Sequence, residues 1–438
     1  MIVQTEPAPV IGRPRSRAVT VLAVAGVVLA AALGGIAALL AVAALTAVPA
    51  VFVAAGIVTF VLLDVAGMAL VARRSPPARR RAARWRLSAW TAVPLLALFA
   101  WTALVPPPVP PPAAFPGARL VRVATGSTLE VVRVPARAAG GGPPVVVVHG
   151  GPGVPDLAQL GRTYGRLAER GRDVYLYAEA GTGASTRSAD PRGYSRERDV
   201  ADLEALRARL GLDRMVLLGH SYGATVAAQY LTEHPGRVAR LVLTSPGPPD
   251  PADRSGDLAQ SRLDTARRLR VYAEVGAPRP MLGYLLLQVN PAAAHAFLPD
   301  AEADARNDRV LTLAGPALHC HGAPAPPPAR GTGFYAAQYP QSASAPRPRD
   351  LRPGLAGVRV PALVFKGSCD YLSWRSAAEY RRLLPASRLV YLPGAGHDLH
   401  IDRPAEVVAA IEEFLAGRPP GLPDHPEPGP PPGYEGPA

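Results

Sequence analysis

The sequence predicts an α/β protein in two parts: three membrane-spanning helices, then a mostly parallel sheet covered by helices on both faces. Three observations lead there. Three long apolar runs fill most of the first 105 residues. From about residue 118 onward, short apolar strand patterns alternate with helical ones. A Gly-x-Ser-x-Gly pentapeptide, GHSYG at Gly219–Gly223, follows one of those strands and opens a helical pattern.

The apolar runs come first. Residues 18–44 carry no charge, residues 48–72 carry only Asp64, and residues 87–105 carry none. About 20 apolar residues cross a bilayer as a helix, so each run suffices. The first is too long for the apolar part of a cleaved signal peptide, and two more follow it. Arg13, Arg15 and Arg17 precede the first run, and seven arginines fill residues 73–86, whereas the turn near Leu45–Val48 has none. Arg-rich short loops stay cytoplasmic. The expected protein is therefore multi-pass in the cell membrane, with a cytoplasmic N-terminus and everything after Val105 on the outer side. Trp85, Trp90 and Trp101 fall near the ends of the third run, where interfacial aromatics belong. Asp64 is either a functional ionisable group or one that meets water or a neighbouring helix.

Those same arginines explain the charge. The chain is +13 overall, yet ten arginines against Glu6 and Asp64 before residue 87 supply eight of those charges. There is one lysine, Lys366. The excess is a feature of the anchor and of a general arginine bias, so it implies no nucleic-acid partner. The expected partners are the lipid bilayer and a small substrate.

Residues 106–117 are a Pro-rich spacer, extended and semi-rigid. Strand patterns follow at Arg119–Ala124, Thr128–Val134, Pro144–Val148, Asp173–Tyr177, Arg214–Leu218, Arg240–Thr244, Ala362–Phe365 and Arg388–Leu392. The later ones are short and continuously apolar, as strands buried on both faces are. Helical patterns lie between them, near Leu157–Arg170, Arg198–Leu210, Ala224–Glu233, Ser376–Leu384 and Ala405–Leu415. Such alternation implies a parallel sheet. It lapses at residues 246–357, rich in Pro, Ala and Arg with a helical stretch at Leu258–Val275, which read as a cap inserted into a core of residues 118–245 and 358–417. Residues 418–438 are a Pro/Gly tail, expected to be disordered.

Ser221 sits in the sharp strand-to-helix turn that the pentapeptide demands, with Gly219 and Gly223 letting strand and helix approach. A hydroxyl is a weak nucleophile and needs a base held by a carboxylate. That arrangement puts the acid and the histidine after the serine in the chain. Asp370 follows the Ala362–Phe365 strand and His397 follows the next one, so both stand where strand C-termini present side chains at one sheet edge. Asp398 and Asp402 lie too close to His397 to support it well. The stretch VVVVHGGPGVP, Val145–Pro155, ends a buried strand on a loop with almost no side chains. Attack on a carbonyl builds charge on oxygen, and bare backbone amides stabilise it, each worth roughly 100–1000-fold in rate. The expected donors are Tyr222, next after the nucleophile, and Gly151, with Gly150 as the second candidate in that loop.

These residues resemble the α/β-hydrolase superfamily, and within it the prolyl aminopeptidase branch of serine peptidases. The branch signal is HGGPG, His149–Gly153, together with AEAGTGAS, Ala178–Ser185, which is similar to the branch's Asp-Gln-x-Gly-x-Gly-x-Ser segment but departs from it at Ala178 and Glu179. The resemblance covers roughly Arg119 to Ala416 apart from the cap. It implies catalytic Ser221, Asp370 and His397, an oxyanion hole of Gly151 and Tyr222, and no cofactor. Such peptidases grip the substrate's amino group with a Glu in a Trp-rich cap motif. No Trp lies between Trp101 and Trp374, so that motif is absent, and Glu274 or Glu302 would have to substitute.

The expected function is a membrane-anchored serine hydrolase, working through an acyl-enzyme on an ester or a short peptide. A proline iminopeptidase-like aminopeptidase, a carboxylesterase or lipase-like enzyme, and an idle hydrolase fold used for binding are the alternatives. The His397-x-x-His400 pair and His319-Cys320-His321 lack a further ligand motif, so no metal is expected. Cys320 and Cys369, the only cysteines, either pair across cap and core or remain free thiols.

Overall fold

A computed structural model describes residues 17–73, 75–109 and 114–438. Two compact units result, Met1–Val105 and Pro106–Ala438.

In the first unit, α1 (Arg17–Ala43), α2 (Pro49–Ala72) and a third helical stretch, Pro77–Leu104, that contains α3 (Arg80–Phe99) are each long and apolar enough to cross a membrane. Small residues bring α1 and α2 together: a side chain at Gly35 would stand 3.0 Å from the Gly56 carbonyl and 3.0 Å from the Phe60 Cβ. Close approach of this kind is how helices associate in lipid. The third helical stretch begins ahead of the expected 87–105, at Pro77, and runs to Leu104. Arginine is a good helix former, so Arg80, Arg81, Arg84 and Arg86 continue the helix beyond its apolar part. Asp64 is buried and accepts a hydrogen bond from the Thr91 hydroxyl of α3 at 3.0 Å, a neighbouring-helix contact.

The second unit is built on one eight-stranded sheet: β1 (Arg119–Arg122), β2 (Thr128–Val134), β3 (Val145–Val148), β4 (Val174–Ala178), β5 (Met215–His220), β6 (Val238–Thr244), β7 (Ala362–Gly367) and β8 (Ser387–Leu392). The order across it is β1-β2-β4-β3-β5-β6-β7-β8. The β1–β2 and β2–β4 pairs are antiparallel, and every pair beyond β4 is parallel. The four valines of β3 show why continuous apolar runs mark this sheet. Val146 and Val148 enter one core layer, Val145 and Val147 the other, and all are buried. The first layer packs α5 (Arg196–Arg209), α6 (Tyr222–Glu233) and α13 (Trp374–Leu383) through Leu203, Tyr230 and Tyr380. The second packs α4 (Leu157–Tyr164) and α15 (Pro404–Leu415) through Leu160, Tyr164 and Ile411. A four-residue turn, α14 (Leu399–Asp402), precedes α15.

Between β6 and β7 lies the helical insert: α7 (Thr265–Val275), α8 (Pro278–Val289), α9 (Pro291–Phe297), α10 (Asp300–Ala314), α11 (Phe334–Gln338) and α12 (Arg352–Leu355). The stretch expected to be helical from Leu258 is broken. Leu263 is extended, and the Asp264 carboxylate caps α7 by accepting from the Arg267 amide at 2.8 Å. An aspartate there competes better as a cap than as an interior residue. At the two ends of α12, Leu351 and Leu355 are buried in the same core layer as α6.

The tail differs most from expectation. Residues 418–438 are not a loose extension but lie against the core. Asp424 pairs with Arg381 at 3.2 Å and accepts from the Leu389 amide at 2.9 Å. The Tyr434 ring meets Trp374 edge-on at 5.4 Å, and the Pro437 carbonyl accepts from the Trp374 amide at 2.8 Å. Proline and glycine cannot build a core, but prolines cost little entropy when an extended chain is laid down, and two anchors suffice to hold it. Deleting residues 424–438 is expected to cost about 2 kcal/mol, read as a fall of several degrees in the melting temperature of the full chain in detergent; an unchanged melting curve would contradict this docking.

Candidate active site

Ser221 stands between β5 and α6 with φ 53° and ψ −116°, a strained conformation for a residue with a side chain. Its surroundings impose it. The Ser221 amide donates to the Thr244 carbonyl of β6 at 2.9 Å, and its own carbonyl accepts from the Ala224 amide at 3.0 Å. A side chain at Gly219 would strike the Gly223 carbonyl, and one at Gly223 would strike the carbonyls of Val148 and His149. The two glycines of GHSYG are therefore what lets α6 start against the ends of β5 and β3.

His397 follows β8, and its backbone is held on both sides. Its amide donates to the Leu318 carbonyl at 2.6 Å, and its carbonyl accepts from the Ser245 hydroxyl at 2.7 Å. The ring then joins two other residues: Nε2 lies 2.8 Å from Ser221 Oγ, and Nδ1 lies 2.8 Å from Asp370 Oδ1. Tyr371 covers one side, with ring centroids 4.7 Å apart. Asp370, in the turn after β7, has no exposed surface. Its Oδ1 also accepts from the Leu372 amide at 3.0 Å, and its Oδ2 from Lys366 Nζ at 2.8 Å. Burial alone would raise this carboxyl, but the Lys366 ammonium and His397 outweigh it and hold Asp370 well below the usual carboxylate range. Burial pulls the Lys366 ammonium down, against the pull of Asp370. Ser221, His397 and Asp370, taken from three separate loops of the sequence, thus form one hydrogen-bonded row.

Facing the row is the loop His149–Gly153. His149 is buried; its Nε2 accepts from the Glu179 amide at 3.1 Å, which leaves Nδ1–H to donate to the Gly150 carbonyl at 2.9 Å. Burial pushes its pKa down to about 4, so the neutral ring persists. Gly151 has φ 126°, open to glycine alone, and a side chain at Gly150 would lie 3.2 Å from the Ser221 Cβ. Gly151 lines the same cavity as Ser221. Tyr222 is the first residue of α6, its hydroxyl turned away to Asp199 at 2.7 Å. Among the described residues, neither the Gly151 nor the Tyr222 amide finds an acceptor in the protein.

The cavity measures about 1360 Å³ and opens between sheet edge and insert. Asp156, Asp304 and Arg187 are among its lining residues. Burial raises the Asp156 and Asp304 carboxyls to about 6 each. Asp304 is paired with Arg187 at 2.9 Å. The two glutamates that sequence offered as amino-group clamps are engaged elsewhere. Glu302 is buried against Arg279 at 2.7 Å, and Glu274 lies 3.4 Å from Arg306 and 3.6 Å from Arg309.

Two features escaped sequence reasoning. In the sequence Lys366 stands out only as the one lysine in an Arg-biased chain, and that exception, four residues before Asp370, is its signal. The other is a buried cluster of possible metal ligands. Ring nitrogens of His220 and His400 and a carboxylate oxygen of Asp398 lie within 4.8 Å of one another. Nothing in the spacing of residues 220 and 398 announces this. The Cys320 and Cys369 sulfurs are bonded, Cα to Cα 5.3 Å, tying the insert to the residue before Asp370.

This fold and site define the class. The α/β hydrolase fold family matches residues 143–404, more than half of the chain, and the chain belongs to it. A proline iminopeptidase of Heyndrickxia coagulans is 39% identical over 107 residues, which are 24% of this chain and 36% of that protein. One of Lactobacillus helveticus is 26% identical over 294 residues, 62% of this chain and 90% of the relative. A (lyso)-N-acylphosphatidylethanolamine lipase of Bos taurus is 29% identical over 284 residues, 62% and 78% respectively. Among solved structures, the proline iminopeptidase of Mycobacterium smegmatis is 20% identical with a TM-score of 0.47, covering 68% of this chain and 98% of that one.

Lys366→Met leaves Asp370 buried without its cation, which costs about 3 kcal/mol at neutral pH. Because the carboxyl of Asp370 is depressed in the folded protein, its contribution is present above its unfolded value of 3.8 and fades as pH falls below it. The stability gap between parent and variant, measured by denaturant titration, is expected to be full at pH 7 and to narrow below about pH 4.

Proposed function

We propose that the protein is a serine hydrolase, anchored in the membrane by its three apolar helices, that cleaves esters or short peptides through an acyl-enzyme. The observation carrying this reading is the row Ser221–His397–Asp370, closed at 2.8 Å on each side beside a cavity. Ser221 Oγ attacks the substrate carbonyl carbon while His397 Nε2 takes its proton. The negative charge that forms on oxygen is received by the amides of Gly151 and Tyr222. His397 then gives the proton to the departing alcohol or amine. Water enters, loses a proton to the same nitrogen, attacks the acyl carbon, and the proton returns to Ser221. Asp370 stays ionised throughout, and Lys366 keeps it so.

The relatives named proline iminopeptidase make an aminoacyl amide with a free amino end the first substrate to test. The carboxyl of Asp156, in the cavity wall where it accepts from the Gln159 amide at 3.3 Å, supports an amino-bearing substrate. The lipase relative and the large cavity support an ester with a long acyl chain as the second reading. For topology, the arginines flanking the first and third spans support a cytoplasmic N-terminus and a catalytic unit outside the membrane.

A fluorophosphonate probe is expected to label the full chain, and Ser221→Ala is expected to abolish labelling while a distant serine variant keeps it. His397→Gln should lower kcat by about 10⁴ or more. Persistent labelling of Ser221→Ala, or turnover within tenfold of the parent in either variant, contradicts this mechanism. In intact spheroplasts, added protease is expected to digest the unit from Pro106 onward; protection of that unit until lysis would reverse the orientation.

A further inference from the structure

We propose that His220, Asp398, His400 and His319 form a binding site for one divalent transition-metal ion of zinc's kind, beside the serine–histidine pair and separate from it. The first argument is the donor set. Three imidazoles and a carboxylate are ligands that zinc takes readily, in fours. Donor nitrogens and oxygens on a tetrahedral zinc stand roughly 3.4 Å apart. Those of His220, Asp398 and His400 are all within 4.8 Å of one another, so small side-chain rotations bring them onto one ion. His319 stands just outside that group: its Nε2 lies 3.7 Å from the other carboxylate oxygen of Asp398, and it completes the four by a larger movement than the other three need.

The second argument is what the nitrogens lack. His400 is 3% exposed, and neither of its ring nitrogens has a hydrogen-bond partner. His319 Nε2 is likewise buried and unpartnered. Buried polar atoms are nearly always satisfied, and an orphan costs on the order of a hydrogen bond or more. Orphaned nitrogens on two rings of one cluster call for a common partner, and one cation takes one nitrogen of His400 together with His319 Nε2.

The third argument is how the rings are turned. The Thr244 hydroxyl donates to the Gly219 carbonyl at 3.4 Å and so accepts from His220 Nδ1–H at 3.1 Å. His220 Nε2 then faces Asp398 Oδ1 at 3.1 Å, a contact that one proton or one cation would bridge. His319 donates its Nδ1–H to Asp402 at 2.7 Å, and Asp402 is fixed in turn by the Gly396 amide at 2.7 Å. A histidine whose far nitrogen is tied to a carboxylate or hydroxyl while the near one stays bare is the arrangement that metal-binding histidines adopt. A proton shared by His220 and Asp398 would settle that pair but leave His400 and His319 Nε2 unsatisfied; a metal gives each of the four residues a partner and leaves over only the second nitrogen of His400.

The ion would join three stretches of chain: the end of β5 beside Ser221, the loop that carries His397, and the insert at His319. The His220 and His397 ring centroids are 5.1 Å apart, so a clamp here holds the loop of His397 in place without entering the reaction.

The test uses the full, tag-free chain in detergent, stripped with a chelator and titrated with zinc against a chromophoric competitor. One zinc per chain with submicromolar Kd is expected, with a rise in melting temperature. Cobalt(II) in its place should give the visible absorption of a tetrahedral site. His400→Ala and Asp398→Asn, each checked for a cooperative melt, should weaken zinc at least tenfold. If a variant does not fold, the cobalt spectrum of the parent decides. Absence of stoichiometric zinc in the parent, a cobalt spectrum that stays octahedral, or binding unchanged in both folded variants overturns the proposal. Repeating the titration on Ser221→Ala, which removes the proposed nucleophile, separates failure of the metal site from failure of the hydrolase reading.

Discussion

A carboxylate with no exposed surface is the constraint around which this sheet edge is organised. Asp370 can remain charged only if the energy lost on leaving water is returned by close partners. It has three: the Lys366 ammonium, the Leu372 amide and the His397 ring. Each comes from a different part of the β7–β8 region, so the demand for partners fixes the end of β7, the turn after it and the loop after β8 together. Lys366 is itself fully buried and leans on the same carboxylate and on the Leu372 carbonyl at 2.7 Å. Neither charge is tolerable alone, and together they define one geometry.

The strained serine answers to the same logic from the other side of the edge. Its φ of 53° is sustained by strand and helix meeting at two glycines, and by the bond from its amide to β6. Strain of this kind persists only when its neighbours over-determine it. The parallel strands give that rigidity, because β3, β5 and β6 are buried along nearly their whole length and carry the loops at their ends without freedom to shift.

Much of this was legible because it is local. Continuous valines, a glycine on either side of His220-Ser221-Tyr222, and an Asp or His just past an apolar strand are patterns of a few residues each, and the mostly parallel sheet follows from the alternation of strand and helix. The three side chains picked from pattern do meet at hydrogen-bond distance. What stayed hidden is non-local or compositional. His220 and Asp398 are 178 positions apart and share no spacing rule. The tail looks unable to pack because Pro and Gly dominate it, and the two side chains that anchor it, Asp424 and Tyr434, are lost in that average. The break at Leu263–Asp264 was invisible to periodicity, since a helix pattern does not register a cap until the carboxylate finds its amide. Lys366 was counted as composition when its isolation among arginines was the informative fact: an ammonium fits a dry slot with two acceptors, whereas a guanidinium brings five donors.

The bond between Cys320 and Cys369, 49 positions apart in the chain, closes a ring that holds α11, α12 and β7. β7 is the second strand from the edge of the sheet, and every residue of it is buried. A single proteolytic cut anywhere between the two cysteines would leave the two pieces of the chain covalently joined.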